Sequence, residues 1–549
     1  MNYYLTGSQA GLIDKYTQDK VGIPGLVLME KAADVAVQEL ERRLNGSEGF
    51  FSKTRDKILV VAESGNNGGD GVAVARILKT KGYDTYVYEI KGISSSSDSY
   101  RKQIEIAKNL NVKFVEPDLK DENVFAEYRV IVDSIFGVGL SREVKGIHSD
   151  VIDRINHARE AESYIFSIDI PSGISSSTGH ILGNAVRSDM TVTFQYIKYG
   201  MLIHEGRDYS GDIICRDIGL YIPDNMEEMM SIVSEPIFYE YENSEIKSLI
   251  PQRKADSNKG TYGKVMVVAG SKDVYGAVYM AAESVLRVGA GLVKVVTDIR
   301  NRDVLADKLP ETMMLTYDSG EFKESGFQDG FEEKLAESVS WADVILVGPG
   351  LGTDSVAEHI LTSTLRSCDG KKLVLDADSL NVISEMDVET IFEEMTEKTG
   401  RGNVIITPHI AEMSRLAKII LDEKAESAAI NRIKYIKENP GMVAREVSDR
   451  YGVVTVLKDA RTVVTSPDDA AIYVNTTGNS GMSTGGSGDV LAGAVAGLLA
   501  QMEPSRYSVK EIASATVRLH GTAGDKACLD KGERGMTATD ILVALYMNF

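Results

Sequence analysis

Short runs rich in β-branched residues alternate with stretches of helical spacing along nearly the whole chain, and this alternation limits the possible folds more than any other feature. Strands are predicted at 58–62, 85–90, 130–133, 164–169 and 191–195, then at 265–269, 292–296, 344–347, 373–376, 404–407 and 453–457. Strand-helix-strand repetition implies parallel sheets covered by helices on both faces. Between 223 and 251 the pattern lapses into acidic and polar residues, so the expected domains are 1–235 and 236–549. A length of 549 residues agrees, being too long for one ordinary core.

Composition removes several classes of function. The formal net charge is −21, which argues against a nucleic-acid partner or an anionic membrane surface. A small anionic ligand held by backbone N–H groups remains compatible with that charge. Cys215, Cys368 and Cys528 are dispersed, which signals neither a disulfide framework nor a zinc site and fits a reducing cytoplasm. The first residues lack a signal-peptide pattern, and the most apolar helical stretch, 490–502, is too short and glycine-rich to span a bilayer. The serine run at 94–97, followed by Asp98 and Ser99, reads as a solvated loop.

In the first half, Gly65, Asn66, Asn67, Gly68, Gly69, Asp70 and Gly71 follow a strand and precede a helix carrying Val74, Ile77 and Leu78 on one face. Such a turn offers N–H groups to phosphate at the crevice beyond the strand ends. Two further strands end in Asp133 and Asp169, where a carboxylate can bind a cation or move a proton. Oxygen donors from Asn67, Asp133 and a carbonyl near Ser172 would suit a hard cation. Each aspartate could equally be a capping or turn residue.

In the second half, 479–489 runs through Gly485, Gly486, Ser487, Gly488 and Asp489 into the small-residue helix beginning at Val490. A helix with almost no polar face is buried, and its N-terminus is an anion site. The glycines let the backbone wrap a phosphoryl group while Asp489 takes a proton from an attacking hydroxyl. The competing reading is a capping aspartate on a buried helix. Neither a P-loop nor a protein-kinase signature is present. On pattern alone, 458–462 turns a hairpin, His409 is a turn residue, Asp376 and Asp378 cap a helix, and His520 and Asp525 pack or cap.

With those motifs in order, the first half resembles the NAD(P)H-hydrate epimerase (YjeF N-terminal) family, helped by 193–200 and by Leu28, Met29 and Glu30. The second half resembles the ADP- or ATP-dependent NAD(P)H-hydrate dehydratases of the ribokinase-like superfamily, through 259–264, 289–293, 348–352, 376–381, 407–412 and 458–462. The resemblance implies a Rossmann-like three-layer αβα domain followed by a ribokinase-like α/β domain. It implies that Asn66, Asn67, Gly68, Gly69 and Asp70, with Gly137, Val138, Gly139, Leu140, Ser141, Arg142 and Glu143, contact the hydrated nucleotide. Asn67, Asp133 and Ser172 would hold potassium, and Asp169 would bind the hydrate and move the proton. In the second domain His409 would meet the hydrate; the backbone of Lys458, Asp459, Ala460, Arg461 and Thr462 would hold ADP, with magnesium bound; Ala277, Gly352 and Gly488 would be further binding residues; and Asp489 would be the base. Glu63, Ser480 and Ser487 stand where many relatives have glycine, proline and threonine.

The expected activity is repair of hydrated NADH and NADPH by a cytoplasmic homo-oligomer: epimerisation at C6, then ADP-dependent dehydration of the S hydrate to NAD(P)H, AMP and phosphate. The rival is a vitamin-precursor type ribokinase-like kinase fused to a non-catalytic Rossmann-like module. By resemblance, microbial fused forms use ADP; no physical argument from the residues separates it from ATP.

Overall fold

The computed structural model describes residues 1–46, 50–90, 97–234, 236–250, 253, 255–322, 327, 330–423, 431–501 and 506–545. Ser94–Ser96 of the expected serine loop lie outside these, as do Pro251 and Met502. Ser97 is not a loop residue: it caps the helix Asp98–Asn109, its side chain accepting from the Tyr100 N–H. The chain divides into two compact units, Asn2–Phe238 and Tyr239–Phe549. Both are α/β, as the alternation predicts.

The first unit carries a seven-stranded parallel sheet. Its strands are β1 (Lys57–Ala62), β2 (Asp84–Glu89), β3 (Lys113–Val115), β4 (Val130–Ser134), β5 (Tyr164–Ile168), β6 (Met190–Phe194) and β7 (Asp212–Arg216), in the order β3-β2-β1-β4-β5-β6-β7. Alternate residues face opposite layers: Ile58, Val60, Val130 and Phe166 join one core cluster, Leu59, Val61, Ile131 and Ile165 the other. This two-sided burial is why the strands read as continuous apolar runs. Strands β3 and β7 escaped the sequence reading because both are edge strands whose side chains are only partly buried, so neither forms a long apolar run. The strand order reverses between β1 and β4, where Val61 pairs with Asp133, so the crevice opens at their C-terminal ends.

In the second unit the strands are β8 (Lys264–Val268), β9 (Leu292–Asp298), β10 (Met313–Tyr317), β11 (Val344–Val347), β12 (Lys372–Leu375), β13 (Val404–Ile406), β14 (Val454–Leu457), β15 (Val463–Thr465) and β16 (Ala471–Val474). They run β10-β9-β8-β11-β12-β13-β14-β15-β16, parallel through β14 and antiparallel over the last two pairings. The 458–462 segment is indeed the hairpin turn between β14 and β15. The helix Ser487–Gln501 is buried along almost its whole length and packs on the helix Tyr275–Arg287. Glycine makes that approach possible, since a Cβ at Gly493 would lie 2.1 Å from the Ala281 carbonyl oxygen and one at Gly497 2.4 Å from Val288. No helix among the described residues is long and apolar enough to cross a membrane.

Candidate functional site

At the β1/β4 crevice of the first unit a cleft of about 990 Å³ opens. The helix that follows β1 begins at Asn66, so Asn66 to Asp70 form its first turn and not a loop before it. Its N-cap, Gly65, has no side chain to cap with, and the first intrahelical bond runs from the Gly69 N–H to the Gly65 carbonyl. The amides of Asn66, Asn67 and Gly68 therefore have no intrahelical acceptor and carry the positive end of the helix dipole. Gly68 is sterically obligatory: a Cβ there would lie 1.6 Å from the Glu63 carbonyl oxygen.

The cleft is lined by Asn66, Asn67, Asp70, Gly137, Val138, Gly139, Leu140, Ser141, Arg142 and Asp169. Gly68 and Gly69 are buried behind it, with Gly69 against Met29, while Glu143 is exposed and pairs with Lys145. Behind its lining Asp133 is fully buried and accepts from the Ser172 N–H (2.9 Å), Ser172 Oγ (2.6 Å), Ser167 Oγ (2.8 Å) and the Ile135 N–H (3.3 Å). Burial raises its pKa in spite of those donors. Asn67 Nδ2 donates to the Phe136 carbonyl at 3.0 Å, and its buried Oδ1 has no partner among the described residues.

Asp169, at a left-handed φ of 66°, accepts from Lys198 Nζ, Thr193 Oγ1 (3.3 Å) and the Phe194 N–H (3.4 Å). The buried Lys198 ammonium is its ion-pair partner. Lys198 sits in a motif noted in the sequence, but nothing there paired it with a residue 29 positions earlier. Two further cleft groups were missed altogether: Asp14, and the pair formed by buried Glu63 with His148 Nε2 at 2.6 Å. No local spacing signals either.

In the second unit the loops after β12, β13 and β14 converge. Asp376 is buried, and its Oδ1 accepts from Lys458 Nζ at 2.6 Å and from Thr407 Oγ1 at 2.7 Å. Ala377 is forced to φ 50° and ψ −116°, which aims its two flanking aspartates differently. Asp378 accepts from the Gly352 N–H at 2.8 Å. His409 caps the helix Ile410–Leu416: its Nδ1 accepts from the Ala411 and Glu412 N–H groups, so Nε2 carries the proton in the neutral ring. Ala277 is buried beside Gly350, while Asp459 and Ala460 are exposed on the hairpin turn with Arg461 and Thr462 half-buried.

Facing them, the helix Ser487–Gln501 presents Gly488 and Asp489 in its first turn, and its first α-type backbone bond is made by the Val490 N–H to Gly486. A Cβ on Gly488 would lie 3.2 Å from Lys458 Nζ, which fixes how closely the two loops meet. Burial, then the Asp376 charge, push the Asp489 carboxyl up to about 7, with Lys458 opposing. Burial likewise lifts Glu412 to about 7. Burial alone would lower the Lys458 pKa, but Asp376, Glu412 and Asp489 more than offset it. Asp525, inside the helix Val509–Lys531, caps no helix but ties down the 478–479 loop, accepting from the Gly478 N–H and Asn479 Nδ2, and buried His520 is pulled down to about 4 by desolvation.

Comparison with known proteins gives a separate family match in each half. The sequence profile of the NAD(P)H-hydrate dehydratase family matches residues 265–546, and that of the YjeF-related protein N-terminus matches 25–200. The chain is 32% identical over 551 residues to the bifunctional NAD(P)H-hydrate repair enzyme Nnr of Moorella thermoacetica, covering 98% of this chain and 95% of that protein. It is 31% identical over 527 residues to the Nnr of Escherichia coli, covering 94% and 90%. Among solved structures, a ribokinase-like superfamily protein of Enterococcus faecalis is 31% identical with a TM-score of 0.44, covering 56% of this chain and 94% of that one. The ADP/ATP-dependent NAD(P)H-hydrate dehydratase of Bacillus subtilis is 22% identical with a TM-score of 0.43, covering 58% and 98%.

Proposed function

Because this chain belongs to the family of bifunctional NAD(P)H-hydrate repair enzymes, we propose that its Rossmann-like first unit interconverts the C6 epimers and its ribokinase-like second unit dehydrates the S form at the expense of ADP. The observation that carries the dehydratase reading is Asp489, with a pKa near 7, in the first turn of a buried helix and close to the Lys458–Asp376 pair. A carboxylate there can accept the C6 hydroxyl proton, and the freed oxygen attacks the terminal phosphoryl group, releasing AMP. The free amides of Gly488 and Asp489 face the charge that spreads over the phosphoryl oxygens, and Lys458 lies beside them. Phosphate then leaves C6 as the ring nitrogen supplies electrons, and loss of a C5 proton restores the dihydronicotinamide. Magnesium, when bound, neutralises phosphate charge.

In the first unit, Asn66, Asn67 and Gly68 offer amides to the pyrophosphate of the hydrate, Gly137 to Arg142 form the opposing wall, and Asp169 is the proton-moving carboxylate. The residues fit potassium: the unpartnered Asn67 Oδ1 beside buried Asp133 and Ser172 is an oxygen-only, singly negative donor set. Bound there, the ion would offset the cost of burying Asp133 and fix the loop that faces the ligand. Free, dispersed thiols at Cys215, Cys368 and Cys528 support a reducing cytoplasm as the setting.

The test is incubation with mixed R and S hydrates, ADP, magnesium and potassium, following dihydronicotinamide absorbance and free phosphate. Both isomers should be consumed to completion. Stalling at half would remove the epimerase assignment, and a stable phosphoester without recovered absorbance would replace the dehydratase by a kinase.

A further inference from the structure

Asp70 lies one helical turn beyond Asn66 and Asn67 and lines the cleft with Asp14, Asp169 and Lys198. Two aspartates of this group are provided for differently. Asp169 is held by the Lys198 ammonium, the Thr193 hydroxyl and the Phe194 amide. Asp70 has no hydrogen-bond donor among the described residues and feels the like charges of Asp169 and Asp14. Burial first, and those carboxylates next, raise its pKa well above the ordinary value, with Lys198 opposing. Two carboxyls lining one cleft, one held by an ammonium, a hydroxyl and an amide and the other with no donor among the described residues, are suited to opposite roles as base and acid.

Inversion at C6 must break and remake a bond to that carbon, either to its hydroxyl or to the ring nitrogen. We propose that Asp70 is the catalytic acid that pairs with Asp169 in this inversion, and that it acts on the C6–O bond. The assignment rests on the epimerase reading given above. Asp70 gives its proton to the departing hydroxyl, which leaves as water while the ring-nitrogen lone pair forms a C6–N double bond. Asp169 removes a proton from a second water as that water adds to the opposite face of C6, and the electron pair returns to nitrogen. One water leaves, one enters, and one proton passes from Asp70 to Asp169. The reaction is redox-neutral, and in the reverse direction the two aspartates exchange roles.

The test is inversion of one purified epimer by the full chain in ¹⁸O-labelled water, with mass spectrometry of both epimers and an enzyme-free control. We expect one solvent oxygen in each inverted molecule. Inversion that retains the original oxygen would mean that the C6–N bond opens instead, and would overturn the proposal. In Asp70→Ala, a substitution suited to a helix interior, inversion should fall at least about 100-fold. Formate should restore part of that activity, and the thermal unfolding midpoint should match the parent. Undiminished inversion in this variant would overturn the proposal. So would a loss that formate does not relieve and that tracks weakened hydrate binding, which would make Asp70 a nucleotide-holding residue. A parent enzyme that inverts neither epimer would instead overturn the epimerase reading on which the assignment rests.

Discussion

Asp489 is raised to about 7 by burial first and by the Asp376 charge second, and this sets a direction for the pH dependence of dehydration. The base must be ionised to accept a proton, so activity is present above pH 7 and should fall about tenfold per pH unit well below it. In Asp376→Asn the like charge is gone and Lys458 is released from its partner, both of which favour an ionised Asp489. The acid limb should therefore move to lower pH even as the maximal rate drops, and a pH–rate profile of kcat/KM would reveal it. An unmoved limb would mean that Asp376 does not set the Asp489 pKa. In Asp489→Asn, ADP-dependent repair should fall at least about 100-fold while R-to-S interconversion persists. Asp489 and Lys458 were legible in the sequence because each stands in a motif. The Lys458–Asp376 pair was not, since it joins residues 82 positions apart that only the order of strands β12, β13 and β14 brings together.

Among elements, the helix Ser487–Gln501 shows how a catalytic terminus is held in place. Its Gly493 lies against the Ala281 backbone with no room for a methyl group, the carbonyl oxygen being 2.1 Å and the carbonyl carbon 2.9 Å from an added Cβ. Gly493→Ala should shift the helix and cost about 1–3 kcal/mol, measured as a lower thermal midpoint. Gly11→Ala, where a Cβ meets nothing within 4 Å, should be neutral or slightly stabilising. Central strands were legible because burial on both faces leaves an uninterrupted apolar run. Edge strands such as Lys113–Val115 and Met313–Tyr317 were not, because their side chains are partly exposed and their composition overlaps that of loops. The sequence reading placed the turn at Asn66 to Asp70 before the helix, whereas it is the helix's own first turn; Gly68 and Gly71 there serve steric clearance, a Cβ lying 1.6 and 1.9 Å from a neighbouring oxygen.

For the whole molecule, the carboxylates proposed to move protons, Asp169 and Asp489, lie in different compact units, so the two proposed steps should be separable. An equimolar mixture of Asp169→Asn and Asp489→Asn chains should repair both epimers, because the S hydrate made by one is a diffusible substrate for the other. Following absorbance recovery from pure R hydrate would check this; failure of the mixture, with each single variant showing its expected remaining activity, would mean that the intermediate is not released. The net charge of −21 sets no obstacle to either phosphate-rich substrate. In both units the groups proposed to meet the anion are main-chain amides at helix starts, those of Asn66, Asn67 and Gly68 in one and of Gly488 and Asp489 in the other. Every residue type except proline supplies the same N–H, so the side chain drifting at such a position leaves the donor untouched. Loss of the anion contact itself, as distinct from the side-chain chemistry proposed for Asn67 and Asp489, must come through the path of the chain.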